Sequence, residues 1–271
     1  MKLCHEAGIN RISFGLQSTV QQELDMLGRI HTYEEFLQSY HWARKAGFSN
    51  INVDLMFAIP GQTCENWKHN LETIAELSTE HISAYSLIIE EGTPFAQKKL
   101  ILPTEDEEYQ MYEDTAEILR KYGFHQYEIS NYARDGFECR HNKGYWQRTE
   151  YLGAGLGAAS LFQGKRFSNT RDMQTYLADS TEPEKIREDV TTLSRNNEIE
   201  EFMFLGLRMT EGISERQFER NFGCRIEDIY GSVLAKYKEM DLLEHTGEFW
   251  RFTRKGIHVS NPVLADFLLD E

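Results

Sequence analysis

The chain has 271 residues, 40% hydrophobic and 27% charged, and its 29 Lys and Arg face 44 Asp and Glu for a formal net charge of −15. This is too apolar for a disordered chain and long enough for about two domains. No apolar run approaches the ~18 residues of a membrane span, and the acidity argues against broad binding to nucleic-acid phosphates.

Residues 1–6 lack the charged-then-apolar layout of a signal peptide. The four scattered cysteines, Cys4, Cys64, Cys139 and Cys224, fit a reducing compartment better than a disulfide framework. The expected location is the cytoplasm. Residues 11–17 read as a strand with Ile12, Phe14 and Leu16 on one face, and 32–46 as a helix closed by Gly47, since glycine tolerates the left-handed conformation that ends helices. A second strand over 50–57, the breaker Pro60-Gly61, a helix over 64–77 and a third strand over 81–89 follow. Strands spaced by helices imply right-handed parallel crossovers, hence an α/β layer or barrel.

Those strands alternate in an unusual way. Ser13, Gly15 and Gln17 face opposite to Ile12, Phe14 and Leu16, and Asn52 and Asp54 alternate with Ile51 and Val53. Helix-covered parallel strands are usually apolar on both faces, so a polar face suggests a barrel lumen around a polar ligand. Gln17 and Asp54 lie towards the C-terminal halves of their strands, where α/β barrels build their sites. Mutual satisfaction of these polar groups accounts for the pattern equally well.

Beyond residue 94 the alternation stops. Residues 105–122 read as an acidic amphipathic helix, 124–130 as a strand and 131–149 as an irregular polar-aromatic loop. Residues 151–168 are glycine-rich, with a hairpin around Gln163-Gly164, and 179–197, polar with one proline, read as a linker. Helices over 198–209, 214–222 and 226–240, a wing strand over 248–253 and a last helix over 262–269 suggest a winged-helix module. From residue 198 onward nine Lys and Arg face fifteen Asp and Glu, a poor phosphate binder. A packing or docking role is expected there, not DNA recognition.

Gly153-Ala-Gly-Leu-Gly157 looks superficially like a dinucleotide loop, but 158–162 reads as a strand where that fingerprint needs a helix. The glycines suit a close backbone approach, to a neighbouring strand or to a flat ligand. Cys139-Arg-His141-Asn142-Lys-Gly-Tyr145-Trp146 packs a thiol, an imidazole, an amide and two large aromatics into eight residues. Such a run can ligate iron through His141 or Cys139 and stack a planar macrocycle on Tyr145 and Trp146. Taken alone, it reads more simply as a loop whose polar groups satisfy one another while the aromatics fill core. No Ser-His-Asp order, HExxH or P-loop is present, and no catalytic residue is assigned.

Residues 8–18 (GINRISFGLQS), 27–31 (LGRIH), 47–48, 52–55 (NVDL) and 59–63 (IPGQT) closely resemble the radical SAM proteins of the coproporphyrinogen III oxidase-like group. Residues 127–131 (YEISN) followed by 141–146 (HNKGYW) are similar to its HemW branch, the haem chaperones. The resemblance runs over essentially the whole chain. It implies the C-terminal part of a radical SAM partial (β/α)6 barrel over 1–103, without its first strands and cluster loop. A barrel elaboration carrying HNxxYW over 104–178, the linker over 179–197 and a winged-helix-like HemN C-terminal domain over 198–271 complete the expected layout. It implies S-adenosylmethionine contacts at Gln17, Arg29, Asp54 and Ile88: Asp54 accepting from ribose hydroxyls or the amino group, Arg29 pairing with the carboxylate, Gln17 bonding to either. Haem contacts are expected from His141, Asn142, Tyr145, Trp146 and Cys139, with His141 the preferred iron ligand and Cys139 the reserve.

One departure bears on activity. The family's CxxxCxxC motif holds a 4Fe–4S cluster through three thiolates, whereas the closest cysteine pair here, Cys4 and Cys64, is 60 residues apart. The expectation is an N-terminally truncated form that does not bind the cluster, so enzymatic activity is left open. The expected function is binding haem and passing it to haem-requiring proteins. The alternative is the oxygen-independent coproporphyrinogen III oxidase reaction. Nucleic acid and transmembrane segments are not expected; peripheral membrane contact is left open.

Overall fold

Threonines start the long helices of the N-terminal half. Thr32, Thr63 and Thr104 each accept a backbone N–H from the first helical turn, and Glu35 and Glu107 complete capping boxes at the first and third, which satisfies donors a helix start would otherwise leave open. In the computed structural model, which describes residues 1–93 and 95–269, the chain divides into two units, Met1–Glu138 and Cys139–Glu271.

The first unit contains α1 (Lys2–Glu6), β1 (Ile12–Gln17), α2 (Gln21–Met26), α3 (Tyr33–Lys45), β2 (Ile51–Phe57), α4 (Cys64–Glu76), β3 (His81–Ser86), α5 (Glu105–Lys121), β4 (His125–Glu128) and β5 (Asn131–Ala133). Its sheet has the order β1-β2-β3-β5-β4. β1, β2 and β3 run parallel, and β5 and β4 return antiparallel. Gly47, at φ 103°, follows α3 in the left-handed region, as expected of a residue that ends a helix. The core gathers Leu16, Val53, Leu55 and Ile82 of the strands with Phe36, Trp67, Leu71 and Met111 of the helices. Trp67 is fully buried, and its Nε1–H donates to Met111 O and Thr115 Oγ1, both at 2.9 Å. β1 is the edge of this sheet among the described residues.

The second unit opens with α6 (Arg140–Trp146), β6 (Ala159–Phe162), β7 (Lys165–Asn169), α7 (Met173–Asp179) and β8 (Arg187–Thr192). It continues with α8 (Arg195–Gly206), β9 (Ile213–Ser214), α9 (Glu215–Phe222), α10 (Ile226–Glu239), β10 (Leu243–Thr246), β11 (Phe249–Phe252), α11 (Arg254–His258) and α12 (Ser260–Ala265). It holds two three-stranded antiparallel sheets, β6-β7-β8 and β10-β11-β9. Helices α8, α9 and α10 pack Phe202, Phe218, Tyr230 and Leu234 against Trp250 and Phe252 of the wing. The expected trio of helices with a hairpin is what forms. At the β6–β7 turn, Gln163 and Gly164 both have positive φ, 52° and 69°, as a type I′ hairpin turn requires.

Three stretches differ from their sequence reading. Residues 131–149 are not irregular: β5 pairs with β3, and α6 forms over Arg140–Trp146. The span read as a linker contains a short 3-10 helix, Pro183–Lys185, and strand β8, which pairs with β7. β8 is an edge strand whose side chains are almost all exposed, so it carries no apolar alternation to betray it. The last helix, α12, starts at Ser260 and ends at Ala265, short of the expected 269, and an unexpected short helix, α11, precedes it. No helix among the described residues is long and apolar enough to cross a membrane.

Candidate functional site

Parallel register puts Ser13 of β1 beside Asn52 of β2, and Asn52 beside His81 of β3. Side chains in one row share a face, so the polar alternation converges into one network. Asp54 fixes its polarity, because a carboxylate only accepts. Asn52 Nδ2 donates to Asp54 Oδ1 and Ser13 Oγ, both at 2.7 Å, and Ser13 Oγ donates to Asp54 Oδ2 at 3.2 Å. Asn52 Oδ1 therefore faces the other way and accepts from Ser83 Oγ at 3.2 Å and from His81 Nδ1–H at 2.6 Å. His81 Nε2 is left bare, and it accepts the Tyr127 hydroxyl at 2.8 Å. His81 is completely buried; burial first, and the Arg11 charge second, hold its pKa down at about 3. The imidazole is neutral with its proton on Nδ1, and the chain of donors ends on Asp54.

Gln17 ends β1 at a bulge where the register slips between Phe14 and Gln17. Its φ of 74° is unusual for a residue with a side chain, and bulges of this kind re-aim side chains beside sites. Gln17 Oε1 accepts from the Tyr85 hydroxyl at 3.1 Å. Burial pushes the Tyr85 pKa up and the Asp54 charge adds to it, while the Gln17 hydrogen bond and the Arg29 charge work against them. Gln17, Asp54 and Arg29, which stand far apart in sequence, thus act on one phenol. Ile88 lies beyond β3 and is 79% exposed. Beyond the end of β1, buried Glu23 Oε2 accepts from Ser18 Oγ (2.6 Å), Gln62 Nε2 (2.9 Å) and Asn70 Nδ2 (3.1 Å), tying α2 to α4 and holding the segment that follows Gln17.

An ordered carboxylate, an amide, a phenol and a guanidinium suit a polar, zwitterionic ligand. A three-thiolate cluster site does not fit the same residues. No disulfide joins the four cysteines, and no group of three His, Cys, Asp or Glu able to hold a metal occurs among the described residues.

The second unit contains a cavity of about 640 Å³, within the ~300–1,000 Å³ of small-molecule sites. Its aromatic wall comes from α6. His141 and Tyr145 stand four residues apart on that helix and so meet on one face, with ring centroids 4.5 Å apart; Tyr145 meets Tyr151 at 4.7 Å. Trp146 also lines the cavity, with the Arg208 guanidinium 4.6 Å over its ring and a buried Nε1–H that has no hydrogen-bond partner. Gly153, Ala158, Leu161 and Leu205 supply small and aliphatic surface, and Arg166 of β7 reaches the same space. Of the haem residues expected from sequence, His141, Tyr145 and Trp146 share this cavity. Asn142 and Cys139 are not on its wall; Cys139 is buried at the start of α6, 9% exposed. Tyr85, His81 and Arg166 join these sites with no motif in the sequence to mark them.

Both units resemble known proteins. Residues 1–74 match the family model described as Radical SAM superfamily, and 193–259 that described as HemN C-terminal domain. Heme chaperone HemW of Lactococcus lactis subsp. lactis (strain IL1403) is 38% identical over 275 residues, covering 100% of this chain and 72% of the relative. Heme chaperone HemW of Bacillus subtilis (strain 168) is also 38% identical, covering 99% of this chain and 72% of the relative. In structure, coproporphyrinogen III oxidase (HemN) from Escherichia coli, a radical SAM enzyme, superposes with a TM-score of 0.82 at 20% identity, over 97% of this chain and 65% of that one. At that identity the likeness concerns the fold alone.

Proposed function

The chain belongs to the HemW family of haem chaperones, and from that premise we propose that it binds haem in the cavity of its second unit and hands it to haem-requiring proteins. The observation that carries this reading is the common placement of His141, Tyr145 and Trp146 on a wall of the 640 Å³ cavity. A porphyrin is broad, flat and apolar over most of its area, and offset or edge-on aromatic contacts suit its faces. The His141 imidazole is exposed and supplies the nitrogen an iron prefers. Cys139, buried away from that wall, is the poorer candidate. A chaperone must release its cargo, so a single protein ligand and a partly open cavity suit the task better than a closed two-ligand pocket.

The polar face of the first unit is the proposed S-adenosylmethionine surface, with Asp54, Gln17 and Arg29 holding its polar groups and Ile88 at the rim. When bound at an iron–sulfur cluster that cofactor supplies radical chemistry; these residues form no cluster site, and no radical step is assigned to them. The coproporphyrinogen oxidase reading rests on fold likeness at 20% identity, whereas the 38% identical relatives are chaperones by name. Cytoplasmic location, with haem and haem-accepting proteins as partners, follows from the same reading.

Haemin titrated into the wild type and into His141→Ala, followed at the Soret band, tests the assignment. Loss of the nitrogen ligand is expected to shift the Soret maximum and weaken binding about tenfold, equivalent to ~1.4 kcal/mol. An unchanged spectrum and affinity in a folded variant removes His141 as the ligand.

A further inference from the structure

Arg166 is the side chain of permanent positive charge on the described wall of the cavity. Its Nε–H donates to Glu201 Oε1 at 2.6 Å, and the other oxygen of Glu201 accepts from Arg148 Nε at 3.0 Å. Glu201 is 7% exposed, yet the two guanidinium groups hold its carboxyl below the usual range against the opposing effect of burial. One buried carboxylate is therefore shared between two cations. Glu198, 3.7 Å from Arg148, offsets that partner and not Arg166. A guanidinium carries five N–H donors in a planar fork; Nε is taken by Glu201 and one donor meets the Tyr151 hydroxyl, which leaves further N–H donors of Arg166 for a second acceptor. Glu201 locks the stem in place, so the fork is ordered before any ligand arrives.

A guanidinium whose carboxylate partner is divided with a second cation, in a largely apolar cavity, asks for a further anion, and planar carboxylates are the acceptors its fork matches best. We propose that Arg166 anchors a carboxylate side chain of the cargo, so that the macrocycle lies over the aromatic wall with its metal towards His141 and an acidic edge at Arg166. This assigns the site to porphyrins that carry carboxylate side chains, and it rests on the haem reading above. It also gives the cargo one orientation in the cavity, since the charged edge and the metal are held by different elements, β7 and α6.

The test compares haemin with haemin dimethyl ester, in which the two carboxylates are masked and the metal is not. The wild type should bind haemin about tenfold more tightly than the diester, and added salt should shrink the difference. Arg166→Met keeps a long stem without the charge; it should bind both ligands alike, at the level of the wild type with the diester, with the haemin Soret maximum unmoved. Arg166→Lys, which keeps a cation for Glu201, should retain a preference for haemin and serves if the Met variant fails to fold. Equal binding of haemin and diester by the wild type overturns the anchor while leaving the cavity assignment intact. A parallel loss for both ligands in a folded Arg166→Met also overturns it. If neither porphyrin binds the wild type, the cavity reading itself fails, and the anchor with it.

Discussion

Acid should destabilise the first unit from about pH 6.5 downward, and His81 should be a leading cause. The sign follows from linkage. Its pKa falls from an ordinary 6.5 to about 3 in the fold, so between those values the unfolded chain takes up a proton that the folded chain refuses. The stability that neutral His81 contributes is fully present above pH 6.5. It is lost at about 1.4 kcal/mol per pH unit as pH falls towards 3. Protonation would place a hydrogen on Nε2, where the Tyr127 hydroxyl now donates, and would set a charge in a fully buried site near Arg11. Denaturant titrations at intervals from pH 7 to pH 4.5 on the wild type and His81→Gln check this. Glutamine should be less stable at pH 7, by about 1–3 kcal/mol for imperfectly replaced buried hydrogen bonds. That deficit should close as pH falls, because other titrating groups are common to both proteins. Parallel curves would show that His81 is not held neutral.

His81 belongs to the same polar network as Ser13, Asn52 and Asp54, yet its sequence neighbourhood does not mark it as they are marked. All sit on parallel strands of one sheet, and His81, Ser83 and Tyr85 follow the same period of two as the residues that gave the polar face away. The apolar residues around them, Ile82 and Ala84 on one side and Leu87 to Ile89 beyond, made the segment look like an ordinary buried strand. Alternation within a strand was legible; the register that aligns three strands was not, because it depends on packing between segments some thirty residues apart. The α/β layout and most helix limits were legible because capping threonines, Gly47 and apolar spacing are local signals. β8 was hidden because an exposed edge strand has no buried face to impose a pattern. The cavity was half legible: α6 brings His141, Tyr145 and Trp146 together by its own geometry, whereas Arg166 joins them only through a hairpin and through Glu201, 35 residues on.

Substituting Gly153 should damage fold and cargo binding together. A Cβ at this position would lie 2.3 Å from Ala159 O and 2.9 Å from the Ala158 methyl. The first contact is with backbone at the start of β6, so no side-chain rotation relieves it. The loop cannot withdraw either. Gly153 N–H donates to Ser160 Oγ at 3.0 Å, and Asn169 Nδ2 donates to the carbonyls of Gly153 and Gly155 at 3.1 and 2.9 Å. Gly153 also lines the cavity, so the backbone that presses against β6 is the backbone a flat ligand would meet on its other side. Gly153→Ala is expected to cost about 3 kcal/mol, the upper end for overpacking a tight site, and Gly153→Val more. Haemin affinity should fall by more than tenfold in whatever fraction stays folded, because displacing the loop reshapes the cavity wall it shares with Tyr145. Gly164→Asn is the control. Its φ of 69° lies in the left-handed region, nothing stands within 4 Å of an added Cβ, and asparagine tolerates that conformation, so melting and haemin binding should stay near wild type. If Gly153→Ala melts like the control, the close approach does not hold β6 in place. If it melts early yet binds haemin undiminished, the haem surface lies on another face of the second unit.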